Sequence, residues 1–315
     1  MNSKTLKNIL KIILLTVVIS FTIDKIVFLG LNTISDKVMT GQSIGKLNQF
    51  LAIKDSTNFL VFGNSRANHH IDMDLFSTKG YNMGVDGTGI AYSSTLINTL
   101  NKNKPQLILV HIDTKNFFDN SYEGSDIRGL KTKFNRNENI TKALNKSKQI
   151  SPIQHFYYSI NYNGNAIGIL KNYFKPSYNY KTYNGYDPIK VSESQKSMRD
   201  ALLLKDNSVN CLNNYQVNTI ALEYLRTIKS YIENSKNKTF IFITSPSYND
   251  PCEGDNKVLN DIMKQLGLTY IDYTNLYKEN KINNSSYWKD KTHLSEKGAK
   301  VFSEFLQKEL KNYFN

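Results

Sequence analysis

Acyl transfer requires a nucleophile, a base that takes its proton, a group that orients the base, and donors for the developing oxyanion. The 315-residue sequence offers these residue types at a few well-placed positions. Ser65 stands in "NFLVFGNSRA", where an apolar run stops abruptly at Gly63-Asn64-Ser65. His293 stands in "YWKDKTHLSEKG", three residues after Asp290, a spacing that lets a loop carboxylate reach the neighbouring imidazole and orient it. The backbone N–H of Ser65, the backbone N–H of Gly84 and the side-chain amide of Asn116 complete a candidate oxyanion hole. Each residue also has a plainer use. Ser65 can cap a helix, His293 can be a capping side chain, Gly84 can be a turn glycine, and Asn116 can be an ordinary strand-end residue.

These residues need a scaffold that brings positions 65 and 293 together. Phe59–Phe62 reads as a buried strand and "HHIDMDLF" as a helix-like segment. "KGYNMGVDGTGI" reads as a short strand with a glycine-rich turn, and Ala91–Asn101 has helical spacing. "QLILVHID" has the continuous apolar character of a central parallel strand. The pattern lapses over Phe117–Tyr215, which is rich in Asn, Lys and Tyr and reads as an inserted, partly helical cap. It resumes with an amphipathic helix over Val217–Ser235 carrying Ile220, Leu222, Leu225, Ile228 and Ile232. A strand at "KTFIFITSP", a helix over Lys257–Leu266, a strand at "LTYIDYT" and a last helix capped by Ser295 follow. Alternation of strands and helices predicts an α/β domain with a parallel sheet, whose ligands bind beyond the carboxyl ends of the strands. Ser65, Gly84, Asp113–Asn116 and Asp290–His293 all fall at such ends or beside them.

A serine in a G-[DN]-S context after the first strand, a glycine after the second, an asparagine after the third and D-x-x-H-L near the C-terminus resemble the SGNH (GDSL-like) hydrolase superfamily. The similarity covers roughly 58–116 and 239–310 and leaves the cap unmatched. It implies a flavodoxin-like three-layer α/β/α domain, a Ser65–His293–Asp290 mechanism, and Ser65, Gly84 and Asn116 as oxyanion donors. Two blocks depart from the family's pattern. Asn64 stands where Asp is more usual, and "IDTKNFF" replaces G-x-N-D, so that Asp113 or Lys115 is also a candidate to face the site.

The N-terminus carries Lys4, Lys7 and Lys11 ahead of "IILLTVVISFTI", and "IVFLGL" follows Asp24-Lys25. About 20 apolar residues span a bilayer, so residues 1–32 read as a leader and uncleaved anchor, 33–57 as a juxtamembrane helix and linker, and 58–315 as the α/β domain with its insertion at 117–215. The lysine-rich flank places the domain outside the cell membrane. Net charge is +13, and 128–205 holds 14 Lys/Arg against four acids. Eight tyrosines between Tyr157 and Tyr186 lie among these basic residues. Nucleic acid can use such a surface, but an exported domain favours an anionic or sugar polymer; a solvated insertion of biased composition is the bland alternative. Cys211 and Cys252 can form one disulfide; no zinc-type spacing occurs, and His69-His70 has no acidic cluster beside it. No metal or cofactor is expected. The expected function is an extracytoplasmic serine esterase or O-acyltransferase acting on an ester, such as O-acyl groups of a cell-envelope glycan. The resemblance also implies a membrane acyltransferase as partner. The alternative is a weak or inactive member of the fold serving as a binding or assembly factor of the envelope.

Overall fold

A computed structural model of the chain describes residues 2–205, 211, 215–250 and 252–314. In chain order its elements are α1 (Ser3–Lys37), α2 (Lys46–Ile53), β1 (Phe59–Phe62), α3 (Ser65–His70), β2 (Gly80–Asn82), α4 (Ile90–Ile97), β3 (Gln106–His111), α5 (Thr114–Phe118), α6 (Glu138–Lys146), α7 (Pro152–Phe156), α8 (Ala166–Phe174), α9 (Glu193–Leu204), α10 (Thr219–Glu233), β4 (Lys238–Thr244), α11 (Glu253–Gln265), β5 (Tyr270–Asp272), α12 (Leu276–Glu279) and α13 (Glu296–Glu309). They divide into two units: Met1–Asn48 with Leu130–Tyr180, and Gln49–Gly129 with Lys181–Asn315.

The second unit is an α/β domain built on a five-stranded, wholly parallel sheet of order β2-β1-β3-β4-β5. β1 and β3 are buried along their whole length because helices cover both faces, which is why "FLVF" and "QLILVH" do not alternate with polar residues. Successive side chains still point to opposite faces. Phe59, Val61, Leu107, Leu109, Ile241 and Ile243 share one core with Ala299, Phe302 and Leu306 of α13. Leu60 and Phe62 point the other way, and Phe62 meets Phe50 of α2 edge-on at 5.6 Å. Phe240 on that second face meets Tyr231 of α10 at 6.1 Å. Each fully buried side chain of this kind contributes roughly 1.5–3 kcal/mol relative to exposure.

The caps predicted from sequence form where expected at the last helix: Ser295 Oγ accepts the Gly298 N–H. Asn218 caps α10 through the N–H groups of Ile220 and Ala221 at 2.9 and 3.0 Å. The buried face of α10 is Ala221, Leu225, Ile228 and Tyr231, so the apolar stripe lies about one residue away from the predicted Ile220/Leu222/Ile232 edge. Tyr231 wins that face because its ring packs on Phe240 while its hydroxyl reaches the Leu100 carbonyl at 3.2 Å.

The insertion is not one body. Residues 181–187 belong to the sheet unit, where they cover the free edge of β2: Asn82 N–H donates to Asn184 O at 2.8 Å. Gly185, at φ +89°, allows this approach, since a Cβ there would sit 2.0 Å from the Asn82 carbonyl oxygen. The stretch 130–180 belongs instead with the N-terminal helix, tied by hydrogen bonds from Lys133 Nζ (3.1 Å) and Arg136 to Asp36. In the stretch 33–57, expected to hold a juxtamembrane helix and a linker, Thr33–Lys37 continues α1 and Lys46–Ile53 forms α2. Cys211 and Cys252 are joined in a disulfide. α1 is long and apolar enough to cross a membrane, with a mean hydropathy of 2.4 over its most apolar stretch.

Candidate active site

β1 delivers the serine. Gly63 follows the strand at φ +148°, and a Cβ there would come 2.7 Å from His111 Cβ and 2.8 Å from Ala67 Cβ, so only glycine lets the chain turn between β1 and β3. Asn64 then caps α3, its Oδ1 accepting the Arg66 N–H at 3.0 Å. Ser65 is the first residue of α3 and stands at the carboxyl end of β1, where the strand order reverses between β1 and β3. Helix starts leave their first N–H groups without intrahelical partners, and Ser65, first in α3, carries one of these groups.

The loop before α13 delivers the base. Ser65 Oγ lies 2.9 Å from His293 Nε2, and His293 Nδ1 lies 3.1 Å from Asp290 Oδ2 and 3.2 Å from Oδ1. Asp290 Oδ1 also accepts the N–H groups of Thr292 at 2.8 Å and His293 at 2.9 Å. Burial alone would raise the Asp290 pKa, but hydrogen bonds from the His293 ring and from these backbone donors outweigh it and hold the carboxyl far below the usual carboxylate range. An ionised Asp290 places the imidazole proton on Nδ1 and leaves Nε2 to accept from the Ser65 hydroxyl. Ser65 and His293, 228 positions apart, thus meet in one hydrogen-bonded line with Asp290, the three side chains singled out in the sequence.

Three further histidines, of which the sequence singled out only His69-His70 and only as a metal pair, lie around this line. His70 is fully buried and its Nε2 accepts the Leu294 N–H at 3.0 Å, which fixes the residue next to His293 against α3. With Nε2 accepting, His70 Nδ1–H donates to Ser245 Oγ at 2.8 Å, and Ser245 Oγ–H donates to His111 Nε2 at 3.0 Å. Burial first, then the nearby Arg66 charge, drives the pKa of both His70 and His111 well below the ordinary value, so this chain is neutral. His69 is the opposite case. Its burial would lower the pKa, but Asp86 Oδ2 at 3.1 Å and the Asp187 carbonyl at 2.6 Å accept from both ring nitrogens and raise it. Its ring meets that of His293 edge-on at 6.1 Å. The adjacent pair His69-His70 is thus occupied by hydrogen bonds within the protein, in surroundings that favour the charged form of His69 and the neutral form of His70. Only a helix register that sends neighbouring residues to different partners allows this, and the dipeptide alone carries no such signal.

Arg66 is buried and donates through Nη2 to the Ser245 carbonyl and to Ser247 Oγ, the latter at 3.1 Å. Asp113 faces the site: it caps α5 through the Lys115 N–H at 3.0 Å and accepts from Asn64 Nδ2 at 2.9 Å. The Lys115 side chain is exposed. A pocket between the ends of β1 and β3 is lined by Gly63, Asn64, Thr88, Gly89, His111 and Asp113.

The remaining predicted donors differ in placement. The Gly84 N–H donates to Asn82 Oδ1 at 2.8 Å, and a Cβ at Gly84 would lie 2.5 Å from the Asn68 nitrogen. In this structure Gly84 therefore serves close packing of the β2 end on α3, with its donor engaged by Asn82. Asn116 is in α5, and its side chain lies outside the described residues. Among the described residues no group of three or more His, Cys, Asp or Glu side chains is placed to hold a metal ion. Compared with protein-family models and with curated proteins, the chain matches none.

Proposed function

We propose that this protein is a membrane-anchored, SGNH-like serine esterase or O-acyltransferase with a flavodoxin-like domain, acting outside the cell membrane on an ester such as an O-acyl group of an envelope glycan. The observation that carries the reading is the Ser65 Oγ–His293 Nε2–Asp290 line, with both contacts within hydrogen-bond reach. Ser65 Oγ attacks the acyl carbon and His293 Nε2 takes its proton. The Ser65 N–H stands by the developing oxyanion. The protonated His293, stabilised by ionised Asp290, returns the proton to the departing alcohol oxygen and leaves an acyl-Ser65 ester. A water or sugar hydroxyl, deprotonated by His293, then attacks that ester; the Ser65 oxygen departs from the acyl carbon and takes the proton back from His293. Lys4, Lys7 and Lys11 before the apolar stretch of α1 support an inside leader and an outside domain, and a membrane acyltransferase is a fitting partner. The Cys211–Cys252 bond suits an oxidising compartment.

The test is hydrolysis of p-nitrophenyl acetate together with labelling by a fluorophosphonate probe. Wild type is expected to turn over the ester and take the label, and Ser65→Ala to do neither. Equal background rates for both proteins, with neither labelled, would refute the catalytic reading.

A further inference from the structure

α1 carries a charged pair, Asp24-Lys25, within its apolar stretch. A hydrocarbon core of about 30 Å corresponds to about 20 helical residues, so a span that starts near Ile12 ends near Leu31 and encloses this pair in its outer half. Charged side chains at such depth turn toward protein and find partners there. Asp24 is 5% exposed and accepts the N–H groups of Tyr158 and Ser159, each at 2.9 Å, the Ser159 hydroxyl at 2.5 Å and Lys25 Nζ at 2.9 Å. Lys25 Nζ also reaches the Phe156 carbonyl at 2.6 Å and stands 3.7 Å over the Tyr158 ring. Ser20 Oγ meets Tyr157 Oη at 2.7 Å, and Phe21 packs on Phe156 at 4.8 Å. The segment 156–159 is therefore clasped to the membrane helix at the level of its charged pair.

Tyr162 and Ile169 of the following turn and helix share a small core with Phe28, Leu31 and Ile34 of α1, but other large apolar side chains nearby stay uncovered. Ile153, Phe156, Leu170 and Phe174 of α7 and α8 are exposed together with Ile167, which is 84% exposed. Phe21, Ile23 and Ile26 of α1 are exposed too, and the Phe21–Phe156 contact makes the two apolar surfaces continuous. The stretch 130–180 carries eight Lys/Arg and one acid, Glu138. Exposed apolar side chains in a stretch rich in basic residues and tyrosines match the boundary of a bilayer with anionic headgroups.

We propose that α7, the turn at 158–162 and α8 lie in the outer leaflet beside α1, with Ile153, Phe156, Ile167, Leu170 and Phe174 in lipid. The inference rests on α1 spanning the membrane and is independent of the esterase reading. It assigns the tyrosines of this stretch to the lipid boundary in place of a glycan surface, and gives the first unit a second attachment to the membrane.

The experiment uses the full chain reconstituted into phosphatidylcholine–phosphatidylglycerol vesicles containing phospholipid brominated near the headgroup end of its acyl chains. Single Ile167→Trp, Phe174→Trp and Leu14→Trp variants are compared with the parent, whose Trp288 is 0% exposed and supplies the background. All three positions are exposed, at 84%, 77% and 65%, so the substitutions leave packing intact. Trp at 167 and at 174 should lose roughly half its emission to the brominated lipid, as a side chain at an acyl-chain boundary does, and resist aqueous iodide. Quenching at Leu14 without quenching at 167 and 174, which iodide then reaches, would overturn the proposal and leave the anchor standing; that outcome would mark the patch as a protein-facing surface. Absence of quenching at Leu14 would overturn the anchor and this proposal together.

Discussion

Asn64→Asp would introduce the residue more usual in the serine motif this segment resembles, and is expected to damage this protein. The introduced carboxylate can still accept the Arg66 N–H, so the cap on α3 persists. What is lost is the donor: Asn64 Nδ2 lies 2.9 Å from Asp113 Oδ2, and the substitution sets two carboxylate oxygens against each other. Two unit charges about 3 Å apart repel by about 1.4 kcal/mol in water and about 5.5 kcal/mol at an effective dielectric near 20. Both residues are partly exposed, and the buried Arg66 charge nearby offsets part of the repulsion. The expected net loss is therefore about 2 kcal/mol at pH 7.5, including the lost hydrogen bond, or a fall in Tm of roughly 4–8 °C. Acid weakens the effect. The repulsion needs two ionised carboxylates, so the deficit should be complete at neutral pH and smaller in acid. Thermal unfolding of the detergent-solubilised full chain at both pH values measures this. Asn64→Asp/Asp113→Asn, which reverses the donor and acceptor, should recover most of the loss. A variant as stable as wild type at pH 7.5, or a double variant no better than the single one, would refute the role given to the Asn64–Asp113 bond.

Asp290→Asn should lower kcat for p-nitrophenyl acetate by roughly a hundredfold to ten-thousandfold with little change in KM, because the imidazole loses the carboxylate that fixes its Nδ1 proton; an unchanged kcat would remove Asp290 from the mechanism. Cys211→Ser/Cys252→Ser opens a loop with a sequence separation of 41 and should cost roughly 4 kcal/mol by loop entropy, read as a lower Tm equal to that of the dithiothreitol-treated wild type. Asp255 is pushed up to about 6, first by burial and then by the Asp250 charge, against the Thr114 hydroxyl that favours ionisation. A carboxyl raised in the folded state contributes stability that is complete below the unfolded pKa near 4 and is lost as pH rises through about 6. Asp255→Asn should therefore unfold at a higher temperature than wild type at pH 7.5, by about 1 kcal/mol after allowance for its partial exposure, and show no advantage at pH 4. An advantage of equal size at both pH values would show that charge burial is not the cause.

The apolar runs at 59–62, 106–111 and 238–244 determined three of the strands, because a parallel sheet covered on both faces needs unbroken hydrophobicity and little else in these segments supplies it. The short β2 and β5 were legible through flanking turn residues and helices more than through their own three residues each. Ser65, Asp290 and His293 were legible because local spacing ties the carboxylate to the imidazole, and because a serine ending a buried strand is placed at the carboxyl edge of the sheet.

The tertiary structure alone decided the rest. Strand order puts β1 beside β3, so Asn64 meets Asp113, two residues 49 positions apart whose hydrogen bond no local pattern encodes. It also stacks α3 under the final loop, which turns His70 into the acceptor for Leu294 N–H and gives His69 two acceptors of its own. Gly84 looked like an oxyanion donor because a turn glycine and a functional one need the same backbone freedom; only the contact with Asn82 shows where its N–H points. The insertion has no strong periodicity in its sequence, and its division between the two units depends on long-range partners: Asp24 and Asp36 for 130–180, the β2 edge for 181–187. Local sequence fixes what a segment can pair with, through its hydrophobic period, its caps and its charges. Which partner it meets depends on packing between segments far apart in the chain.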